Sequence, residues 1–321
     1  MLDLISAKAF RRETTDGFWI KVEKTLCHHG DQVRRGLRGL WWDRDRAVAN
    51  RPLFVVGCSR AGTTLVYRTF SEAAELGSLK RETHDFWNSL HPIENRGWKT
   101  HALNRNDAQP GEREAVSRYF YIYTGQRRFI DKNNQNGLSI PYLHALFPDA
   151  HFVYVKRNPG DNIHSLIEGW TMPERFGTWS GDLPARLAIE GGRYTRWCFF
   201  LAEGWSAYCD ASIEEVCAFQ YRIMNQAILK AREEINPAQW TEIAYEDVLA
   251  NPVQAFQSAF ASAGLSFNRH LEQHCRTILS HPYNAFSEIK KDKWKSSENA
   301  RRIERVLPRV AGVAKQMGYC G

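Results

Sequence analysis

The chain contains no apolar run long enough to span a membrane, and its start, Met1-Leu2-Asp3, has no secretory apolar segment. The expectation is a cytoplasmic protein without a transmembrane segment. Cysteine is sparse: seven in 321 residues, an odd number at scattered positions, which argues against a disulfide framework and for reduced thiols. No cysteine pair has zinc-ribbon spacing. His270, His274 and Cys275 can share a helical face and Cys27-His28-His29 are adjacent, but neither group completes a ligand set, so no metal is expected. Internal repeats and low-complexity tracts are also missing, which excludes solenoids and tandem arrays.

What is present is ordinary globular composition, 43% hydrophobic and 25% charged, with a formal net charge of +7. That charge suits an anionic ligand, whether nucleotide, nucleic acid or acidic membrane, and does not choose among them. The cations are interleaved with 36 acidic residues and no nucleic-acid motif occurs, so no nucleic-acid partner is expected. A non-enzymatic polyanion-binding module stays open as an alternative.

Residues 1–50 read as an amphipathic, arginine-rich helical extension ending before Pro52, and residues 51–321 as the main domain. Leu53-Phe54-Val55-Val56 is too short for a helix and rich in β-formers, so it reads as a buried strand. Gly57 and Gly62 bracket a turn, and Thr63 opens a helix reaching about Ala74. A second strand, Phe152-Val153-Tyr154-Val155, runs through the breakers Arg157-Asn158-Pro159-Gly160 into a helix from Asp161 to about Trp170. Trp240 to Tyr245 is a third candidate strand. Asn251 and Pro252 read as N-cap and first residue of a helix stopped by Gly264. Ile303, Val306, Val310, Val313 and Met317 recur at helical spacing in the last helix. Strands alternating with helices predict an α/β fold of three layers, a central parallel sheet with helices on both faces. Residues 168–215 carry Trp170, Trp179, Trp197 and Trp205, a Trp-rich insertion that reads equally as a substrate wall or as added core.

The segment Gly57-Cys58-Ser59-Arg60-Ala61-Gly62-Thr63-Thr64 lies between a strand and a helix. Glycines let backbone amides turn inward there, and the helix start adds its positive end, so the segment is a candidate anion site. The Gly-x4-Gly spacing is that of a P-loop, but Thr63 stands where a P-loop has lysine, and the cation is Arg60, ahead of the second glycine. Magnesium-nucleotide chemistry loses ground accordingly. A kinase or other P-loop-like enzyme also lacks an apolar run ending in Asp, because the strand at Phe152 ends in Lys156-Arg157.

The string from Phe54 to Phe70 resembles the 5′-phosphosulfate loop of sulfotransferases that use 3′-phosphoadenosine 5′-phosphosulfate (PAPS) as donor. The resemblance implies donor contacts from Arg60, Ala61, Gly62, Thr63, Thr64 and Leu65. The string from Phe147 to Leu166 is similar to the family's 3′-phosphate motif, which assigns Arg157 and Ser165 to that phosphate. Asp131-Lys132-Asn133 and Tyr245-Glu246-Asp247 also keep family order, placing Lys132 near the sulfuryl group and Tyr245 near adenine. Trp294-Lys295 and Met317-Gly318-Tyr319 resemble the closing helix.

The implied reaction moves a sulfuryl group to an acceptor hydroxyl without a metal. Arg60 and Lys132 would stabilise the leaving group. Glu82-Thr83 resembles the base segment of the tyrosyl-protein and carbohydrate branch, with His84 as the second candidate base. The histidine that the cytosolic small-molecule branch places after its lysine is absent, since Asn133, Asn134 and Gln135 follow Lys132. The acceptor is not named by any motif, although Tyr119, Tyr121 and Tyr123 favour a hydrophobic or sugar-like one.

Overall fold

The computed structural model describes residues 30–43, 48–176, 183–280 and 290–319. Trp179 and residues 1–29 lie outside that set, so the expectations for them are not addressed. Helices are labelled α1 (residues 30–43), α2 (Thr63–Phe70), α3 (His84–Leu90), α4 (Glu112–Thr124), α5 (Ile140–Leu146), α6 (Pro159–Trp170), α7 (Ile213–Arg232), α8 (Tyr245–Ala250), α9 (Pro252–Ser262), α10 (Arg269–Thr277) and α11 (Ala300–Gln316). The strands are β1 (Leu53–Gly57), β2 (Gly77–Ser78), β3 (Phe129–Lys132), β4 (His151–Lys156) and β5 (Trp240–Ala244).

All five strands pair in parallel in the order β2-β3-β1-β4-β5. Alternation along the strands sorts their side chains into two cores. Phe54, Val56, Phe129, Phe152 and Tyr154 face one layer, with α4, α5, α6, α7 and α11 supplying residues such as Phe120, Trp170, Tyr221 and Val310. Leu53, Val55, Ile130, Val153 and Val155 face the other, against Phe70 of α2, Phe260 of α9 and Leu271 of α10. Burial on both faces is why these strands read as continuous apolar runs rather than alternating ones. The three-layer expectation is met.

Several boundaries moved. Helix α2 stops at Phe70, short of Ala74, because the Ser71 hydroxyl donates to the Tyr67 carbonyl at 2.7 Å and the chain then turns towards β2. Strand β5 ends at Ala244, and Tyr245 opens α8 instead, with Glu246 and Asp247 at the favourable end of the helix dipole. Strand β3 was not anticipated, since Phe129-Ile130 is followed at once by Asp131-Lys132. The cap at Asn251 was read correctly: its side chain accepts from the Gln254 amide at 3.2 Å. In the Trp-rich stretch, Trp170, Trp197 and Trp205 are buried in the first core. There, the described tryptophans form core packing, not a wall.

Candidate functional site

Parallel α/β sheets gather loops at the carboxyl ends of their strands. Here those ends carry the segment after β1, Lys132 closing β3, Arg157 following β4 and Tyr245 following β5. Four sequence-distant candidates therefore meet by topology alone.

The loop after β1 is tightly held. Arg60 sits at φ 67° and Gly62 at φ 99°, both in the left-handed region. The first is unusual for arginine, and such conformations persist only where the surroundings enforce them. Enforcement is visible on either side: buried Asn162 donates to the Ser59 carbonyl at 2.9 Å, and Arg157 donates to the Arg60 carbonyl at 2.8 Å. Gly62 lies under the Tyr245 ring, where a Cβ would come within 2.4 Å of Cδ2. Helix α2 begins at Thr63 with no side-chain cap and no acid in its first turn. Its opening amides are the orphan donors of a helix start, and with the positive dipole end they suit an anion.

Cations converge on this loop. The Arg60 Nε donates to Ser165 Oγ at 3.3 Å, and the Arg157 guanidinium lies over the Tyr245 ring at 4.5 Å. Arg157 Nε is buried without a hydrogen-bond partner. Burial, then the neighbouring Arg157, pull the Arg60 pKa down to about 10. Two guanidiniums drawn together at such a cost, one with an orphaned buried donor, fit a site whose anion supplies the missing partner. Ala61 and Leu65 contribute only backbone here, because both side chains are buried in the cores.

A second group adjoins the first through Thr64, whose hydroxyl lies 3.5 Å from Lys132 Nζ. Lys132 is ion-paired with one carboxylate oxygen of Glu82, while the other is 2.5 Å from His84 Nε2. Burial pushes the Glu82 carboxyl up, but Lys132 and His84 outweigh it and hold it well below the usual carboxylate range. The residues singled out for catalysis, Arg60, Lys132 and Glu82, thus lie in two adjoining groups, with His84 on Glu82.

The sequence reading missed what holds Glu82 in place. Asp131 is fully buried and accepts from Thr83 Oγ1 at 2.8 Å, Trp87 Nε1 at 2.9 Å and Asn136 Nδ2 at 3.1 Å. Burial pushes its pKa up, and those three donors oppose the shift. Consecutive residues of the 82–83 segment therefore bind consecutive residues of β3, Glu82 to Lys132 and Thr83 to Asp131. The closing segment is docked as well: Asp161, in the first turn of α6, accepts from the Asp292 and Trp294 amides at 2.8 and 3.2 Å.

Residues 52–198 match the model of the Sulfotransferase family. Among solved structures, the chain is similar to the sulfotransferase domain from the curacin biosynthetic pathway, at 16% identity and TM-score 0.52, covering 85% of this chain and 99% of that one. It is also similar to sulfotransferase STF1 from Mycobacterium tuberculosis, at 17% identity and TM-score 0.47, with 88% and 83% covered. Mouse sulfotransferase SULT7A1 complexed with PAP aligns at 14% identity and TM-score 0.44, over 85% and 87%. No curated protein matches the chain.

Proposed function

We propose, for a chain whose residues 52–198 belong to the sulfotransferase family, that it moves a sulfuryl group from PAPS to the hydroxyl of an apolar-bodied or sugar-like acceptor. The single observation that carries the donor assignment is the pairing of Arg60 and Arg157 beside the uncapped start of α2. In this reading Arg60 serves the 5′-phosphosulfate and Arg157 the 3′-phosphate. In this reading Arg60, Thr63, Thr64 and the loop amides hold the former, Arg157 and Ser165 the latter, and Tyr245 flanks the adenine. The donor supplies the activated sulfuryl group, and the chain's residues supply position, charge and a proton acceptor.

Glu82 accepts the proton of the acceptor hydroxyl as its oxygen forms the new bond to sulfur and the bond from sulfur to the phosphate oxygen breaks. Lys132 and Arg60 hold the charge that develops on the departing phosphate. A carboxylate held as low as Glu82 is a weak base while Lys132 sits on it. Drawing the Lys132 ammonium towards the leaving oxygen raises the basicity of Glu82 when it is needed. His84, with its Nε2 on Glu82, supports a second reading in which it is the base and Glu82 orients it. The aromatic surface next to Glu82 supports the acceptor class: Phe86 stacks on Tyr119 at 3.9 Å, and Arg81 donates to the Tyr119 hydroxyl at 3.1 Å.

The test is binding of 3′,5′-ADP followed by turnover. Thermal stabilisation by 3′,5′-ADP with chelator present is the expected result, about 2.7 kcal/mol at a hundredfold excess over Kd. Stabilisation by ATP only with magnesium, and none by 3′,5′-ADP, supports a P-loop-like kinase instead. Salt-sensitive oligonucleotide binding with no response to 3′,5′-ADP supports the polyanion module. Release of 3′,5′-ADP from PAPS across an acceptor panel then separates the bases. Glu82→Gln inactive with His84→Ala active assigns Glu82, and the reverse assigns His84.

A further inference from the structure

Arg157 stands in the turn between β4 and α6, and residues far along the chain hold that turn one position at a time. Lys156 Nζ, closing β4, donates to the Met317 carbonyl at 3.1 Å and to Glu242 at 3.0 Å. The Arg157 carbonyl accepts from the Tyr221 hydroxyl at 3.1 Å. The Asn158 amide donates to Glu246 Oε1 at 2.8 Å, and Glu246 Oε2 accepts from the Tyr319 hydroxyl at 2.7 Å. The Arg157 carbonyl and the Asn158 N–H belong to one peptide unit, so that unit is gripped at both of its polar groups. Asn158 then caps α6, its side chain accepting from the Gly160 and Asp161 amides at 2.9 and 3.3 Å.

Both grips lead to Met317, Gly318 and Tyr319, the turn that closes α11. Tyr221 Oη lies 3.5 Å from Met317 Sδ, and Tyr319 sits on Glu246. The turn has a local cause. Gly318 is at φ 88°, in the left-handed region, and the Gly318 and Tyr319 amides donate to the Lys315 and Ala314 carbonyls at 3.0 and 2.9 Å. That crossed pair ends the helix and brings Tyr319 back to α8. The Met317 carbonyl, which the helix leaves without a donor, meets the Lys156 ammonium at the negative end of the helix dipole. Ile303, Val306, Val310 and Val313 bury α11 in the first core, so packing fixes where the turn lies.

Consecutive residues of α8 therefore divide the work on Arg157. The Tyr245 ring lies under its guanidinium at 4.5 Å, and Glu246 takes the amide that follows it. A planar guanidinium meets a phosphate well only from a fixed direction, and the backbone sets that direction. We propose that Glu246 and Tyr319 are positioning residues for the donor's 3′-phosphate, acting through the Arg157–Asn158 peptide. A carboxylate offers acceptors only, so Glu246 is not itself a phosphate ligand, and both of its oxygens are already engaged. The role rests on the assignment of Arg157 to that phosphate under the function proposed above.

The test is calorimetric titration of the full chain with 3′,5′-ADP and with 5′-AMP, which lacks the 3′-phosphate. The wild type is expected to prefer 3′,5′-ADP. Glu246→Ala should weaken 3′,5′-ADP binding about tenfold and 5′-AMP binding less than about twofold. Tyr319→Phe, which removes one hydroxyl and keeps the ring, should weaken 3′,5′-ADP about threefold with 5′-AMP nearly unmoved. Glu246→Gln keeps an oxygen for the Asn158 amide and should recover most of the loss. In an Arg157→Ala background, Glu246→Ala should add nothing to the loss of preference, because it acts through that side chain. Equal losses for both nucleotides, an unchanged preference, additive losses in the double variant, or a Gln variant as weak as the Ala variant each overturn the positioning role. Where Glu246→Ala does not fold, Tyr319→Phe decides, and an unchanged preference in it overturns the role. A wild type with no preference for 3′,5′-ADP is a different failure: it overturns the donor assignment, and the positioning role with it.

Discussion

Replacing Lys132 with Met isolates the electrostatic core of the candidate site. The Lys132 side chain is 7% exposed and that of Glu82 is 32% exposed, so the substitution strands a partly buried carboxylate. Removing one member of a buried pair costs about 3–5 kcal/mol, because the other charge is left unpaired in a poor solvent. Glu82 keeps a third of its surface in water and keeps its contact with His84, which lowers the expectation to about 1–3 kcal/mol at neutral pH. At about 2–4 °C per kcal/mol, the melting temperature should fall by roughly 2–12 °C. The pH dependence has a definite sign. In the wild type the folded pKa of Glu82 is depressed, so its stabilisation is present above the unfolded value and lost as pH falls through the folded one. Without Lys132, burial acts with one opponent fewer and the folded pKa rises, so the variant loses less on acidification. The gap between wild type and variant should therefore narrow as the pH falls into the ordinary carboxylate range. Adding Glu82→Gln to Lys132→Met should recover about 1–2 kcal/mol, since no charge is then stranded. Thermal scans of the four proteins of this cycle, from neutral pH down to the onset of acid unfolding, measure every term. A Lys132→Met protein as stable as wild type at neutral pH, or a double variant no better than the single one, refutes the coupling.

Gly62→Ala forces a Cβ onto a left-handed backbone and against the Tyr245 ring at 2.4 Å, so a loss of at least about 1–2 kcal/mol is expected in urea unfolding; an unchanged midpoint contradicts the packing. Arg157→Ala should weaken 3′,5′-ADP binding by about 1.5–3 kcal/mol, roughly 10- to 100-fold, while 5′-AMP, which lacks the 3′-phosphate, loses much less. Equal losses for both nucleotides in calorimetric titration assign Arg157 to another contact. Asp131→Ala leaves the donors of Thr83, Trp87 and Asn136 without their common acceptor, and a destabilisation of about 3–5 kcal/mol is expected from denaturant midpoints. A loss below about 1 kcal/mol shows that those donors find other partners.

How much of this was legible in the sequence follows from how local each signal is. The strand–loop–helix from Leu53 to Phe70 announces itself, because an apolar run, a Gly-x4-Gly spacing and a helix start all fall within a few residues of one another. The cap at Asn251 is equally local. Strand β3 has no such signature: it is four residues long, and half of it is Asp131-Lys132, buried only because the strand lies between β1 and β2. Helix α7, the longest described one, also passed unread, although Ser212 and Glu215 form a capping box at its start. The burial of Trp197 and Trp205 depends on contacts with Trp98 and Trp170, distant in sequence, so composition alone left wall and core equally open.

The pairing of Glu82 with Lys132 shows why residues identified singly become a site only in the fold. Side chains of consecutive strand residues point to opposite faces, so Asp131 and Lys132 cannot both meet one partner. They meet two. The 82–83 segment crosses the end of β3, and its own consecutive residues divide between the two faces. Glu82 reaches Lys132 on one face, while Thr83 reaches Asp131 on the other. The inner rung carries three neutral donors on one carboxylate and is sealed from water, whereas the other rung is an ion pair of buried Lys132 with half-buried Glu82, and Lys132 also reaches Thr64 at the start of α2. A rigid inner contact thereby sets the register of the ion pair. In the proposed transfer, this lets Lys132 exchange Glu82 for the leaving group without disturbing the strand that holds it.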